Sequence, residues 1–142
     1  MTKETVKNLL EKENYTCVIA NSAQVFTSRT RGVRPLVQFV QSGEIPAGCV
    51  AADKVVGKAT ASLYVLLKIR ALYAKVISKP ALALLNAQGI ETAYETLVPH
   101  IINRTGDGIC PFEQTVLGME DPQTSYKAIL NKMQEIGISL EN

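Results

Sequence analysis

Residues 50–67 read VAADKVVGKATASLYVLL. The stretch is small or apolar almost throughout, the composition of an element covered on most sides. It reads as part of one long helix over residues 52–68, with Asp53 in the first turn, where the helix dipole favours a negative charge. Lys54 and Lys58 then stand one turn apart on a shared face, and no further charge follows until Lys68. This makes Lys58 at least half buried, and a buried ammonium needs an acid, a carbonyl or an anionic ligand. Gly57 lacks a side chain and permits close approach by a backbone or a ligand. Two readings stand side by side. In one, Asp53 caps the helix and pairs loosely with a lysine, the long lysine stems reaching for water. In the other, Asp53, Lys54, Gly57 and Lys58 form a ligand-binding group, since charges in apolar surroundings cluster at sites.

Outward from this stretch, Thr2 can cap a first helix with Val6, Leu9 and Leu10 on its buried stripe. Residues 15–20 and 24–28 are two strands joined by the turn Asn21-Ser22-Ala23, a hairpin. Pro35 suits the first turn of a short helix. On the C-terminal side, residues 69–77 are nearly continuously apolar, as in a central strand buried on both faces. Pro80 opens a helix that Gly89 ends, and residues 90–97 alternate like a strand. Strand, helix and strand form a right-handed βαβ crossover. A short helix follows Pro111, and a last helix runs over about residues 122–137, stopped by Gly137. The expected architecture is a three-layer α/β/α sandwich with a mixed sheet, an N-terminal hairpin beside a parallel pair, within one domain over residues 1–142. Residues 139–142 are expected to fray.

Composition narrows the function classes. Of the 142 residues, 46% are hydrophobic and 20% charged, with a net charge of +2, ordinary values for a globular chain with a real core. Lysines and arginines are scattered, so no basic stripe favours nucleic acid. No run is apolar and long enough to span a bilayer. The N-terminus has no apolar signal core, and the three cysteines, Cys17, Cys49 and Cys110, are far apart and odd in number. Free thiols in a cytoplasmic protein follow from that reading.

The element order, together with AADKVVGKA, SKPALALL, LVPHIINR and GDGICPFE, resembles a small prokaryotic family of unknown function with the fold of the cytidine deaminases. The resemblance covers roughly residues 9–117. It implies a comparison with the zinc deaminases, which place a His or Cys two residues before a glutamate at one helix start, and a Pro-Cys-x-x-Cys at the next. Those motifs would fall on Ala51-Ala52-Asp53 and on Pro80-Ala81-Leu82-Ala83-Leu84. Ala51, Ala81 and Leu84 have no lone pair to offer zinc. The resemblance therefore implies a deaminase-like fold without the deaminase metal, and no cofactor is expected.

The segment NRTGDGICPFE, residues 103–113, carries the remaining candidates. Asp107-Gly108 is a turn. If Cys110 occupies the cap position, Glu113 can reach back to its N–H as in a capping box, and the dipole can stabilise a thiolate there. The alternative is a small, buried, inert sulfur. His100 is the single histidine, and pairing with Cys110 would make a nucleophilic dyad. A different metal site from Cys49, Cys110, His100 and Asp53 lacks the usual ligand spacing. Arg31, Arg34 and Arg104 lie in polar loops that could hold an anion or simply face water.

Three functional readings follow. The first is a small-ligand-binding protein, with a nucleotide- or nucleoside-like ligand at Asp53, Lys54, Gly57, Lys58, Asp107 and Glu113. The second is a non-zinc enzyme that uses Cys110, Asp53 or Lys58 chemically. The third is a structural module that pairs with copies of itself as a homo-oligomer.

Overall fold

The computed structural model describes residues 1–140. In chain order the elements are α1 (Lys3–Lys12), β1 (Cys17–Ala20), β2 (Val25–Ser28), α2 (Arg34–Ser42), β3 (Val50–Val56), α3 (Lys58–Leu66), β4 (Ala71–Ser78), α4 (Lys79–Ala87), β5 (Glu91–Val98), α5 (Pro111–Val116) and α6 (Pro122–Ile136). Of the tail expected to fray, Glu141 and Asn142 lie outside the described residues.

The long helix expected over residues 52–68 is two elements, a strand and a shorter helix. Residues 50–56 are β3, and the helix begins only at Lys58, with Gly57 as its N-cap. The physical reason is burial on both sides. A central parallel strand is apolar on both faces, and so is a fully covered helix, so periodicity does not separate them. Asp53 accordingly sits within a strand and not in a first helical turn. Lys54 belongs to the strand and Lys58 to the helix, so the two share no helix face.

β3 is the fifth strand that the expected sheet lacked, and it occupies the centre. The strand order is β2-β1-β3-β4-β5. β1 runs antiparallel to both neighbours, while β3, β4 and β5 are parallel. The hairpin forms as the sequence suggests. The Asn21 side chain accepts from the amides of Ala23 and Gln24, each at 2.8 Å, which closes the turn. The helix punctuation also follows the sequence: Thr2, Ser78 and Asp121 cap α1, α4 and α6 with side-chain oxygens, and Gly137 takes the left-handed conformation that ends α6.

The two faces of the sheet are unequally covered. One packs against α2 to α6 through a large core that includes Ile19, Leu72, Ile77, Leu63, Leu85 and Ile129. The other is covered by α1 alone, whose Val6 and Leu10 meet Val18, Ala20, Val50, Ala52, Ala71 and Tyr73. α1 reaches only the leading halves of the parallel strands. Near the far end β3 and β4 change step together: the pairing joins Asp53 to Ala74 and Val55 to Val76, passing over Lys54 and Lys75. Ala74 and Ile77 both belong to the helix-packed core, which leaves Lys75 and Val76 on the α1 side. Asp53, bonded to Tyr64 of α3, and Val56 in the same core leave Lys54 and Val55 there too. Each strand thus breaks its alternation while the register is kept, since the offset that pairs Val50 with Ala71 before the break also pairs Val56 with Ile77 after it. Among the described residues no helix is long and apolar enough to cross a membrane.

Candidate functional site

Of the charged residues of the β3–α3 segment, Asp53 and Lys58 are buried and Lys54 partly so; they are divided between the two faces and hold internal partners. Glu113, only 1% exposed, lies where three elements converge. One oxygen accepts from the Lys58 amide at 3.0 Å and from the Ser78 hydroxyl; the other accepts from the Ile101 amide. Ser78 also caps α4, so one side chain ties together the starts of α3 and α4 and the segment after β5. Helix N-termini leave amides unpaired and attract negative charge, which explains why a carboxylate is stable here despite its burial.

This pairing corrects the expected capping box. Glu113 does not reach back to the Cys110 amide, because that amide donates to the Ile101 carbonyl at 2.8 Å. Cys110 is the N-cap of α5 without a side-chain cap bond, and the residue is partly exposed. Gly57 does permit a close approach, and the approaching groups are the protein's own. A Cβ at position 57 would stand 3.1 Å from Ile101 Cγ1 and 3.4 Å from Glu113 Oε1.

Lys58 is buried, as its setting implied, and the partner of its ammonium is a carbonyl. Nζ donates to the Leu117 oxygen at 2.8 Å. Asp53 is held on the same side of the sheet by the Tyr64 hydroxyl, which donates at 2.6 Å, and by the Val55 amide at 3.1 Å. Burial raises its pKa to about 7, against the lowering effect of those hydrogen bonds. Tyr64 is itself pushed well above its usual value by burial and by Asp53. Cys17, level with Asp53 on β1, is raised by burial first and by Asp53 second. Asp53, Tyr64 and Cys17 are thus an enclosed polar cluster rather than an open reactive centre.

Lys54, on the opposite face, donates to Asn14 Oδ1. Asp107 is exposed in the small loop closed by the Ile102–Ile109 bridge. Its carboxylate accepts from Thr105 Oγ1 at 2.6 Å and from Asn103 Nδ2 at 3.0 Å, which hold it below the usual carboxylate range. No hydrogen bond joins Cys110 to His100 among the described residues.

A concave surface lies elsewhere. A groove of about 480 Å³ opens where the parallel strands end, lined by Val55, Val76, Val98, Pro99, His100, Ile101, Ile102 and Ile109. Its volume is within the range of small-molecule sites, and the carboxyl ends of parallel strands are where open α/β sheets bind ligands. His100 is the one side chain in the lining with polar atoms; its Nδ1 is buried with no hydrogen-bond partner. Val55 and Ile102 are 46% and 56% exposed. Of this lining the sequence singles out His100 alone, as a partner for Cys110; the helix expected over residues 52–68 hides Val55. The apolar run VPHII at residues 98–102 was the available signal.

The residues at the helix starts do not fit the zinc of a deaminase. Gly57, Lys58 and Ala59 open α3, and Ala81 and Leu84 lie on α4. The nearby carboxylate is already committed to three donors. No group of three or more His, Cys, Asp or Glu side chains is arranged to hold a metal ion among the described residues.

A profile described as TM1506, a domain of unknown function (DUF1893), matches residues 5–133. The chain is also similar to a DUF1893 family protein, TM1506, from Thermotoga maritima, whose crystal structure superposes with a TM-score of 0.84 at 33% sequence identity over 91% of this chain and 88% of that one. No curated protein matches the chain.

Two substitutions test the internal site. The folded state keeps Asp53 protonated up to about pH 7 whereas an ordinary aspartate ionises near 3.8. The folded chain therefore retains a proton that the unfolded chain releases. This stabilisation is complete below the unfolded value and is lost as pH rises through the folded one. Asp53→Asn should remove this contribution, so the stability difference between parent and variant should change by up to ~4 kcal/mol between pH 4 and 8 in urea titrations. A difference independent of pH would refute the assignment. Gly57→Ala, at a position with ordinary backbone angles, should cost about 1–3 kcal/mol by crowding Ile101 and Glu113; thermal denaturation reads it directly.

Proposed function

The chain belongs to the DUF1893 family, and on that footing we propose that it is a small-ligand-binding protein on a deaminase-like scaffold whose metal position is taken by its own Glu113. The strand order, with one antiparallel strand beside three parallel ones and a helix opening after each of β3 and β4, supports the scaffold. The position of Glu113 between the starts of α3 and α4 supports the replacement. The carboxylate supplies there what a cation–ligand cluster would otherwise supply, a fixed link between two helix ends.

In this reading Asp53, Lys58 and Glu113 serve the scaffold, and the ligand sits in the groove floored by Val55, Val76 and Val98. The observation that carries the proposal is that groove, concave and apolar, at the strand ends, with His100 as a polar handle. A flat, largely apolar body such as a nucleobase suits it, since such a body gains by leaving water while one hydrogen bond fixes its orientation. A buried nitrogen without a partner is costly, so a ligand that lets the His100 ring turn and pair would gain further.

Methyl-labelled valine and isoleucine spectra report on this surface directly. Titration with the common nucleosides and nucleotides should move the signals of Val55, Val76, Val98, Ile101, Ile102 and Ile109 and leave core signals such as Ile19 and Ile129 in place. Val76→Arg should abolish the shifts. A panel in which no compound moves the groove signals at millimolar concentration would refute the proposal.

A further inference from the structure

The floor of the groove adjoins an unusual pair of charges. Lys54 and Lys75 immediately precede Val55 and Val76, on neighbouring parallel strands, at the level where both strands change step. The shared break in alternation turns each lysine to the same face as the valine that follows it. Like charges level with each other on adjacent strands repel, and nothing acidic has been placed between them. Neither lysine forms an ion pair among the described residues. Lys54 bonds only the neutral Asn14 side chain, and Lys75 is exposed.

The other charged groups on this face have contacts of their own. Glu95 stands level with Lys75 on the adjacent strand β5, on the side away from Lys54, and its carboxylate accepts from the Tyr73 hydroxyl at 3.3 Å. Lys7 stands 5.1 Å from the centre of the Tyr73 ring, and Glu4 and Glu11 of α1 also act on Tyr73. That mixed cluster centres on Tyr73, two residues before Lys75, and reaches Lys75 through Glu95 on its β5 side, while Lys54 and Lys75 are the charges that immediately precede Val55 and Val76.

We propose that the ligand of this groove is an amphipathic anion, its apolar body resting on Val55, Val76 and Val98 and its phosphate or carboxylate held between the ammonium groups of Lys54 and Lys75. The inference rests on the groove as the binding site and adds the charge class of what binds there. An anion between the lysines relieves their repulsion and forms charge-assisted hydrogen bonds to both. Lysine suits this task as a mobile point charge that can follow either a phosphate or a carboxylate.

The test compares adenosine with adenosine 5′-monophosphate, followed by the same methyl signals of Val55 and Val76. The monophosphate should bind about tenfold more tightly than the nucleoside, the size of one charge-assisted contact, and the advantage should shrink as salt is raised. Lys75→Ala, an exposed change that removes no internal contact, should abolish the advantage while leaving adenosine binding as it was; Lys75→Arg should preserve it. Equal affinities for the two compounds, or an advantage that survives in both Lys75→Ala and Lys54→Ala, would overturn the anion site and leave the groove reading intact. Silence of the groove signals toward both compounds would overturn the two together.

Discussion

The buried carboxylate of Glu113 is the constraint on which the arrangement of this molecule depends. It accepts from the first amide of α3, from the hydroxyl that caps α4 and from the amide of Ile101. Each of those donors is far from the others in sequence, so a single side chain near the C-terminal end of the fold fixes three junctions. Hydrogen bonds to a charged group are about twice as strong as neutral ones, and leaving such a group without donors in the interior costs several kcal/mol. The same bonds therefore make the carboxylate tolerable and the junctions rigid. Ile101 links this knot to the outer surface: its amide is held by Glu113 and its side chain forms part of the groove. The shape of the groove wall is thus set from within.

The sheet separates two kinds of chemistry. On the face covered by five helices, polar groups are enclosed and internally satisfied: Asp53 by Tyr64, Lys58 by the Leu117 carbonyl, Ser62 by the Lys58 carbonyl. Such groups are well placed to specify how α3 and α5 seat against the sheet. On the face that α1 covers only partly, valines and lysines remain accessible where the strands end. The shared break in alternation of β3 and β4 produces that second surface, because it turns Lys54 with Val55 and Lys75 with Val76 toward the same side. A ligand-binding face and a structural core are thereby made from consecutive residues of the same two strands.

Much of this fold was legible in the sequence, and the exceptions have one cause. The hairpin, the βαβ unit and the last helix were readable because Asn21, Pro80, Gly89, Asp121 and Gly137 mark their boundaries with residue-specific chemistry. β3 was not, because Val50-Ala51-Ala52 and Val55-Val56 are buried on both faces and carry no alternation, and because Gly57 reads as an interior glycine until the helix start is known. That single misassignment displaced Asp53 to a helix, joined Lys54 with Lys58, and hid Val55 from the candidate site. The importance of Lys58, Gly57 and Glu113 was visible as charge and glycine in an apolar setting. Their mutual contact was not, since 55 residues separate Lys58 from Glu113 and no local pattern encodes such a pairing.

The most direct test of the account is the stability of Glu113→Gln, measured by urea denaturation alongside the parent. Glutamine has the same shape but presents one amide nitrogen to sites that need an acceptor, so at least one donor loses its partner. The account requires a loss of about 2–4 kcal/mol, with the amides of Lys58 and Ile101 becoming faster to exchange hydrogen in the folded protein. A variant within about 0.5 kcal/mol of the parent, the range of surface substitutions, with those amides still protected, would show that the carboxylate does not hold the helix starts together.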